Sequence, residues 1–218
     1  DFCEPASESG MCLIAGAAGT GKTFLTARII NELSSKKILV SASTHKAVKN
    51  IKEMSCLDDQ KISFCTIHSA MGLREKIDAF GKCTFVPEKT IRKKISDVDI
   101  LIIDESSMLQ DDLFLMLVDY VRFKHLKIIF IGDPVQIPPI GCLDSMPFSI
   151  DAQKKYNIKV YELTKIIRQA DGHPIIEKSF EVRNRLNEIM PILDRKDKET
   201  PQGKVQFIKR SDCFEKLM

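Results

Sequence analysis

An apolar run, Met11-Cys12-Leu13-Ile14-Ala15, leads directly into Gly16-Ala17-Ala18-Gly19-Thr20-Gly21-Lys22-Thr23, and a helix-forming stretch continues from Thr23 through Leu33. The middle segment fits the pattern G-x-x-x-x-G-K-[ST] at every fixed position. Strand, glycine loop and helix in that order are the context in which the pattern cradles phosphate. The glycines let the backbone curl, so that successive N–H groups and the positive helix N-terminus point at one anion. Lys22 is then expected to reach the β- and γ-phosphates, and the Thr23 hydroxyl to ligate Mg²⁺.

At 218 residues the chain is long enough for one substantial core, or one core with a small insertion. No apolar run approaches the length of a membrane span, so no membrane partner is expected. A net charge of +3 neither argues for a nucleic acid nor against one, because a local basic face would be hidden in the sum. The cysteines, Cys3, Cys12, Cys56, Cys65, Cys83, Cys142 and Cys213, are odd in number and form no C-x-x-C pair. They read as reduced thiols in a cytosol-like (cytoplasmic) compartment, with no zinc. The chain opens at Asp1-Phe2-Cys3 without an initiator Met or a signal peptide and reads as a fragment.

After the first helix, Lys37 to Ser43 is expected as a short strand, with Thr44 as N-cap of a helix beginning His45-Lys46-Ala47-Val48. Phe64 to His68 reads as extended and runs into a helical turn at Ser69-Ala70-Met71. Arg74 to Pro87 has no helical period and carries Ala79-Phe80-Gly81-Lys82 as a turn, which predicts a small inserted β-hairpin subdomain over 72–90. Ile100-Leu101-Ile102-Ile103 has the continuous apolar character of a central parallel strand, and Asp104-Glu105 closes it. Leu113, Met116, Leu117, Tyr120 and Val121 share the spacing of one apolar helix face. Lys127 to Ile131 is a second buried strand, ending in Gly132-Asp133-Pro134-Val135-Gln136 and the Pro138-Pro139 pair, and Val160 to Leu163 is a third. A helix is expected from Pro174 to about Leu186, and a charged loop from Asp194 to Gln202. Strands alternating with helices predict an α/β fold: a mostly parallel central sheet, helices on both faces, and a site at the C-terminal ends of the strands.

Asp104, at the tip of a buried strand, is placed to hold Mg²⁺ together with Thr23. Glu105 beside it can orient and deprotonate an attacking water, which points to hydrolysis. The chain has no Asn-Lys-x-Asp segment to read guanine, so ATP is the expected nucleotide.

In order along the chain, the phosphate loop is followed by Ser43-Thr44-His45-Lys46-Ala47, Cys65-Thr66-Ile67-His68-Ser69 and Asp104-Glu105-Ser106-Ser107-Met108. Gly132-Asp133-Pro134-Val135-Gln136-Ile137-Pro138-Pro139 comes next, and then Leu163-Thr164 with Arg168. This series resembles the motifs of the first motor domain of superfamily 1 DNA helicases, nearest the phage Dda and RecD-like group, from about Met11 to the C-terminus. The resemblance implies a RecA-like P-loop NTPase domain that uses ATP and Mg²⁺ and contacts single-stranded DNA, with 5′-to-3′ polarity. It also implies that Gln136 senses the γ-phosphate and the attacking water and that Arg168 offers positive charge to the γ-phosphate, completing a catalytic set with Lys22 and Glu105. DNA contacts are implied for Thr44, His45, Lys46, Thr66, His68 and Pro139. Where 72–90 falls the family has a duplex-splitting pin, so that Phe80 or Phe85 would stack on the junction base pair. The family usually has Pro where Ser43 stands.

Such helicases use two motor domains, with ATP in the cleft between them and a second arginine from the partner domain. After Pro201 only Lys204-Val205-Gln206-Phe207-Ile208 and a short terminal helix remain, so residues 1–218 are expected to form the first motor domain alone. By itself it is expected to bind ATP-Mg weakly, hydrolyse it slowly and not unwind DNA. The expected partners are single-stranded DNA, a second motor domain, and replication or recombination proteins. Two other functions share the loop and the acidic pair. One is a protein-remodelling or clamp-loading ATPase, which lacks Thr44-His45-Lys46 and Gln136-Ile137-Pro138-Pro139; the other is a nucleotide-dependent binding module without turnover.

Overall fold

The structure is a computed structural model that describes residues 10–55, 61–77, 79, 81, 83–88, 94–142, 144–165, 198–200 and 203–205. The chain divides into two units, Asp1–Lys165 and Ile166–Met218. In the first unit the elements run β1 (Met11–Gly16), α1 (Lys22–Glu32), β2 (Ile38–Ala42), α2 (His45–Ser55), β3 (Ile62–Thr66), α3 (Ile67–Ala70), β4 (Leu73–Ile77) and β5 (Cys83–Pro87). They continue with β6 (Ile100–Asp104), α4 (Asp111–Lys124), β7 (Lys127–Gly132), α5 (Ile150–Lys155) and β8 (Ile158–Leu163). Short 3₁₀ turns lie at Lys94–Asp97, Ser106–Met108 and Met146–Phe148.

The apolar runs become strands buried along their length: β1, β2 and β6 are buried at every position, and β7 from Ile128 onward. Such strands have no polar face to offer water, so they pair in parallel and need helices on both sides. They form a six-stranded sheet in the order β3-β2-β6-β7-β1-β8, with every pairing parallel. Alternate residues then build separate cores. Leu13, Leu101, Ile103, Ile128 and Phe130 pack with Leu113, Phe114, Leu117 and Val118 of α4, whereas Ile14, Val40, Ile102, Ile129 and Ile131 pack with Ile30 of α1 and Ile51 of α2.

The buried face of α4 overlaps the one predicted, with Tyr120 and Val121 packed against the core as expected and with Phe114 and Val118 buried where Met116 was expected. Leu113, Phe114, Leu117 and Val118 are buried, while Met116 is 39% exposed. The run Leu113-Phe114-Leu115-Met116-Leu117-Val118 is apolar on almost every side, so two stripes satisfy the helical period. The sheet takes the stripe that carries Phe114, which lies against Phe130 with ring centroids 5.8 Å apart.

The hairpin is present: β4 and β5 pair antiparallel from Leu73↔Pro87 to Ile77↔Cys83 as a separate two-stranded sheet. The second unit contains β9 (Lys198–Thr200) and β10 (Gly203–Val205), paired antiparallel. Part of the segment predicted as a charged loop is therefore strand, because two short runs in it pair with each other. The predicted helix from Pro174 and the terminal helix lie outside the described residues. Among the described residues no helix is long and apolar enough to cross a membrane.

Strand order fixes where the chemistry can meet. Only β7 separates β1, which ends at the glycine loop, from β6, which ends at Asp104, so the two ends are roughly 10 Å apart at 4.7–4.9 Å per strand. On the other side of β6, Ala42 pairs with Asp104 and Thr66 with Ala42, which brings the ends of β2 and β3 to the same edge.

Candidate nucleotide and nucleic-acid site

α1 starts at Lys22 with Gly21 as its N-cap; no side chain caps it, and its first turn carries no acidic residue. The first four N–H groups of a helix have no partner within it and sit at the positive end of its dipole, so this terminus suits an anion. Gly19 and Gly21 hold φ of 85° and 86°, a conformation a β-carbon disfavours. Gly16 is required by crowding instead, since a β-carbon there would stand 2.6 Å from Thr20 Oγ1. The Thr20 hydroxyl donates to the Ala17 carbonyl at 2.8 Å, and the Lys22 ammonium donates to the carbonyls of Gly16 and Ala17 at 2.8 and 2.9 Å. Backbone N–H groups under a folded-back ammonium are the donors a triphosphate takes, so the residues present fit that ligand. Thr23 stands one residue on, in the first turn.

Asp104 is buried at the end of β6. Burial pushes its carboxyl up to about 6; an N–H bond from Glu105 and the charge of Lys22 oppose the rise, and the charge of Glu105 adds to it. Because the folded value lies above the usual 3.8, the stability this group contributes is fully present below about pH 4 and is lost as pH rises through about 6. Asp104→Asn is therefore expected to raise the stability of metal-free protein at pH 7.5 by about 1–3 kcal/mol, with the difference vanishing near pH 4. Thermal melts of both proteins across that range test this; a variant no more stable at pH 7.5 would contradict it. Among the described residues no group of three or more His, Cys, Asp and Glu gathers. Mg²⁺ on phosphate needs only one or two protein oxygens, which Thr23 and Asp104 offer.

Glu105 adopts a left-handed conformation, φ 52°, at a cost of roughly 1–2 kcal/mol for a residue with a β-carbon. A network of serines holds the turn that follows. Ser106 Oγ donates to the Ile131 carbonyl at 2.9 Å, Ser145 Oγ donates to the Ser106 carbonyl at 2.9 Å, and Ser43 Oγ donates to the Glu105 carbonyl at 3.4 Å. Sequence reasoning assigned none of these three serines a role. Ser106 and Ser145 are 39 residues apart, and only the fold brings them together.

Gln136 is exposed on the loop after β7. Asp133, buried to 1%, shapes that loop by accepting the Val135 N–H on Oδ1 at 3.0 Å and the Gln136 N–H on its carbonyl at 3.1 Å. Gln136 shares a small cleft of about 20 Å³ with Ser107 and Asp144. Pro139, predicted to face DNA, is buried. Arg168 and Phe80 lie outside the described residues.

Thr44, His45 and Lys46 are exposed at the start of α2. Thr44 Oγ1 accepts the Ala47 N–H at 3.2 Å, and Thr66 Oγ1 accepts the Ser69 N–H at 3.4 Å, so both threonines cap helices. Capping uses an acceptor lone pair, and the hydroxyl proton can still be donated. The His68 ring stacks on Phe85 of the hairpin, with centroids 3.7 Å apart and 21° between planes. One face of each ring is thereby occupied, and Phe85 remains 40% exposed. Burial pushes the His68 imidazole below its ordinary value, the nearby Glu75 opposing, and its Nε2 is buried without a hydrogen-bond partner.

A family model described as an AAA domain matches residues 2–142. The chain belongs to that family. Within it, the chain is similar in sequence to RecD and Pif1 proteins, and its fold is RecA-like. It is 31% identical over 180 residues to the RecBCD enzyme subunit RecD of Buchnera aphidicola, covering 74% of this chain and 28% of that protein. It is 29% identical over 168 residues to the human ATP-dependent DNA helicase PIF1, covering 72% and 24% respectively. Its fold is similar to the crystal structure of a Bacteroides Pif1 helicase in complex with ADP-AlF3 and single-stranded DNA, with a TM-score of 0.56 at 21% identity over 97% of this chain and 53% of that one. The domain thus spans about a quarter of the length of these two curated relatives.

Proposed function

We propose that this AAA domain is the first motor domain of an ATP-dependent DNA helicase or translocase, which binds and hydrolyses ATP-Mg and contacts single-stranded DNA. The observation that carries the reading is the sharing of one sheet edge by the glycine loop after β1, Asp104-Glu105 at the end of β6 and the exposed Thr44-His45-Lys46 after β2. The relatives named above support it, two by their names and one by the ligands in its crystal.

In this reading the Lys22 ammonium leaves the Gly16 and Ala17 carbonyls for the β- and γ-phosphates, and the α1 N-terminus holds the phosphates through its N–H groups. Thr23 and Asp104 would hold Mg²⁺, which supplies charge neutralisation at the β- and γ-oxygens. Glu105 takes the proton of the attacking water, Gln136 orients that water, and Arg168 adds positive charge at the γ-phosphate. Thr44, His45, Lys46, Thr66 and His68 contact the DNA backbone without reading sequence, as donors to phosphate do. The 5′-to-3′ direction rests on the resemblance alone. A second motor domain would supply the opposite wall of the nucleotide cleft and another arginine. Without it the chain turns over slowly and does not unwind DNA, since loss of a trans arginine costs roughly 10³ to 10⁵ in related phosphoryl transfers.

The experiment is ATP turnover by the full-length protein with and without an oligo-dT strand. Stimulation by the strand is expected. Turnover indifferent to DNA would overturn the motor reading in favour of a remodelling or clamp-loading ATPase, and nucleotide binding with no turnover would favour a binding module.

A further inference from the structure

We infer that Ser43 is a positioning residue that links the DNA-facing turn to the catalytic carboxylate of Glu105. The inference rests on the motor reading above and adds to it the route by which DNA acts on hydrolysis.

β2 and β6 are paired with Ala42 opposite Asp104, so the chain leaves the two strands side by side, Ser43 next to Glu105. Ser43 Oγ donates to the Glu105 carbonyl at 3.4 Å, a long hydrogen bond. That carbonyl also accepts the Met108 N–H at 3.2 Å, closing the 3₁₀ turn. The left-handed conformation of Glu105, φ 52°, persists only while its surroundings hold it. A rotation toward ordinary values would change the direction in which the side chain leaves the end of β6.

The other end of the link is Thr44, one peptide bond on from Ser43. It begins α2, accepting the Ala47 N–H on its hydroxyl and the Val48 N–H on its carbonyl at 3.2 and 3.3 Å. A DNA phosphate drawn to Thr44, His45 and Lys46 therefore acts on a hydrogen-bonded helix start, and Ser43 carries the displacement to Glu105. A cleft of about 80 Å³ lined by Ser43, His68, Glu105, Met108 and Gln110 lies beside this bond. The buried, unpartnered Nε2 of His68 belongs to the second DNA-facing segment, and His68 lines the same cleft as Ser43 and Glu105, so both segments reach the surroundings of Glu105. Proline at position 43, with neither hydroxyl nor N–H, could not make the bond. The link is a property of the serine this chain carries.

The test compares wild type, Ser43→Ala and Ser43→Thr in the full-length protein, measuring ATP turnover with and without oligo-dT and, separately, oligo-dT affinity by fluorescence anisotropy. Ser43→Ala is expected to lower the DNA-stimulated to basal ratio roughly three- to tenfold at unchanged oligonucleotide affinity, with Ser43→Thr restoring it. If Ser43→Ala fails to fold, Ser43→Cys, which keeps the size and weakens the donor, is read in the same way. An unchanged ratio, or a fall matched by weaker DNA binding, overturns the link and leaves the motor reading standing. A wild-type protein whose turnover ignores DNA overturns both.

Discussion

Replacing Glu105 by Gln is expected to cut ATP turnover roughly 10²- to 10⁴-fold while leaving nucleotide bound as tightly as before, the range for loss of a general base. The amide keeps the size of the carboxylate and can still orient a water, but it cannot take the water's proton. Binding should hold for two reasons. The phosphate cradle is built from α1 and the loop before it, and Glu105 is no part of it. The charge of Glu105 also helps raise the Asp104 carboxyl, so removing it lets Asp104 ionise more readily and serve a cation better. Single-turnover hydrolysis alongside titration with a fluorescent ATP analogue separates the effects. Turnover within a few-fold of wild type would remove Glu105 from the role of base.

Lys22→Ala should behave differently, losing turnover on the order of 10² to 10³ and nucleotide affinity together. Its ammonium has two tasks, bridging the Gly16 and Ala17 carbonyls in the free loop and meeting phosphate oxygens in the bound one. Removing it leaves those carbonyls to find other partners and takes the one cation out of the loop. Lys22→Arg should rescue poorly, because a planar guanidinium does not fit where a compact point charge is bound. Wild-type nucleotide affinity in Lys22→Ala would place the binding site elsewhere.

Local patterns carried most of the fold. The phosphate loop, the two doubly buried strands and the hairpin turn each fall within a window of about a dozen residues, where composition and spacing are decisive. What escaped were contacts between distant positions. Nothing local distinguishes Ser106 or Ser145 from ordinary turn residues, and their bond exists because β6 and the segment before α5 meet. The helix α4 showed the reverse difficulty: an almost wholly apolar stretch offers more than one face, and the choice was made by Phe130 on the sheet beneath. The residues proposed for the nucleotide site are contiguous or sit at strand tips, so their placement could be anticipated from the sequence. The nucleic-acid side was less so, because exposure and burial separate Lys46 from Pro139 and no motif records that difference.

The buried Asp104 also ties the stability of the domain to any ligand that relieves it. A carboxyl that prefers its proton in the folded chain weakens the domain at neutral pH, and a ligand that relieves it stabilises the native form by about 2.7 kcal/mol at 100 times its Kd. Degradation follows the population of opened molecules. On the proposed reading, this domain would therefore resist proteolysis better when magnesium nucleotide is abundant than when it is scarce.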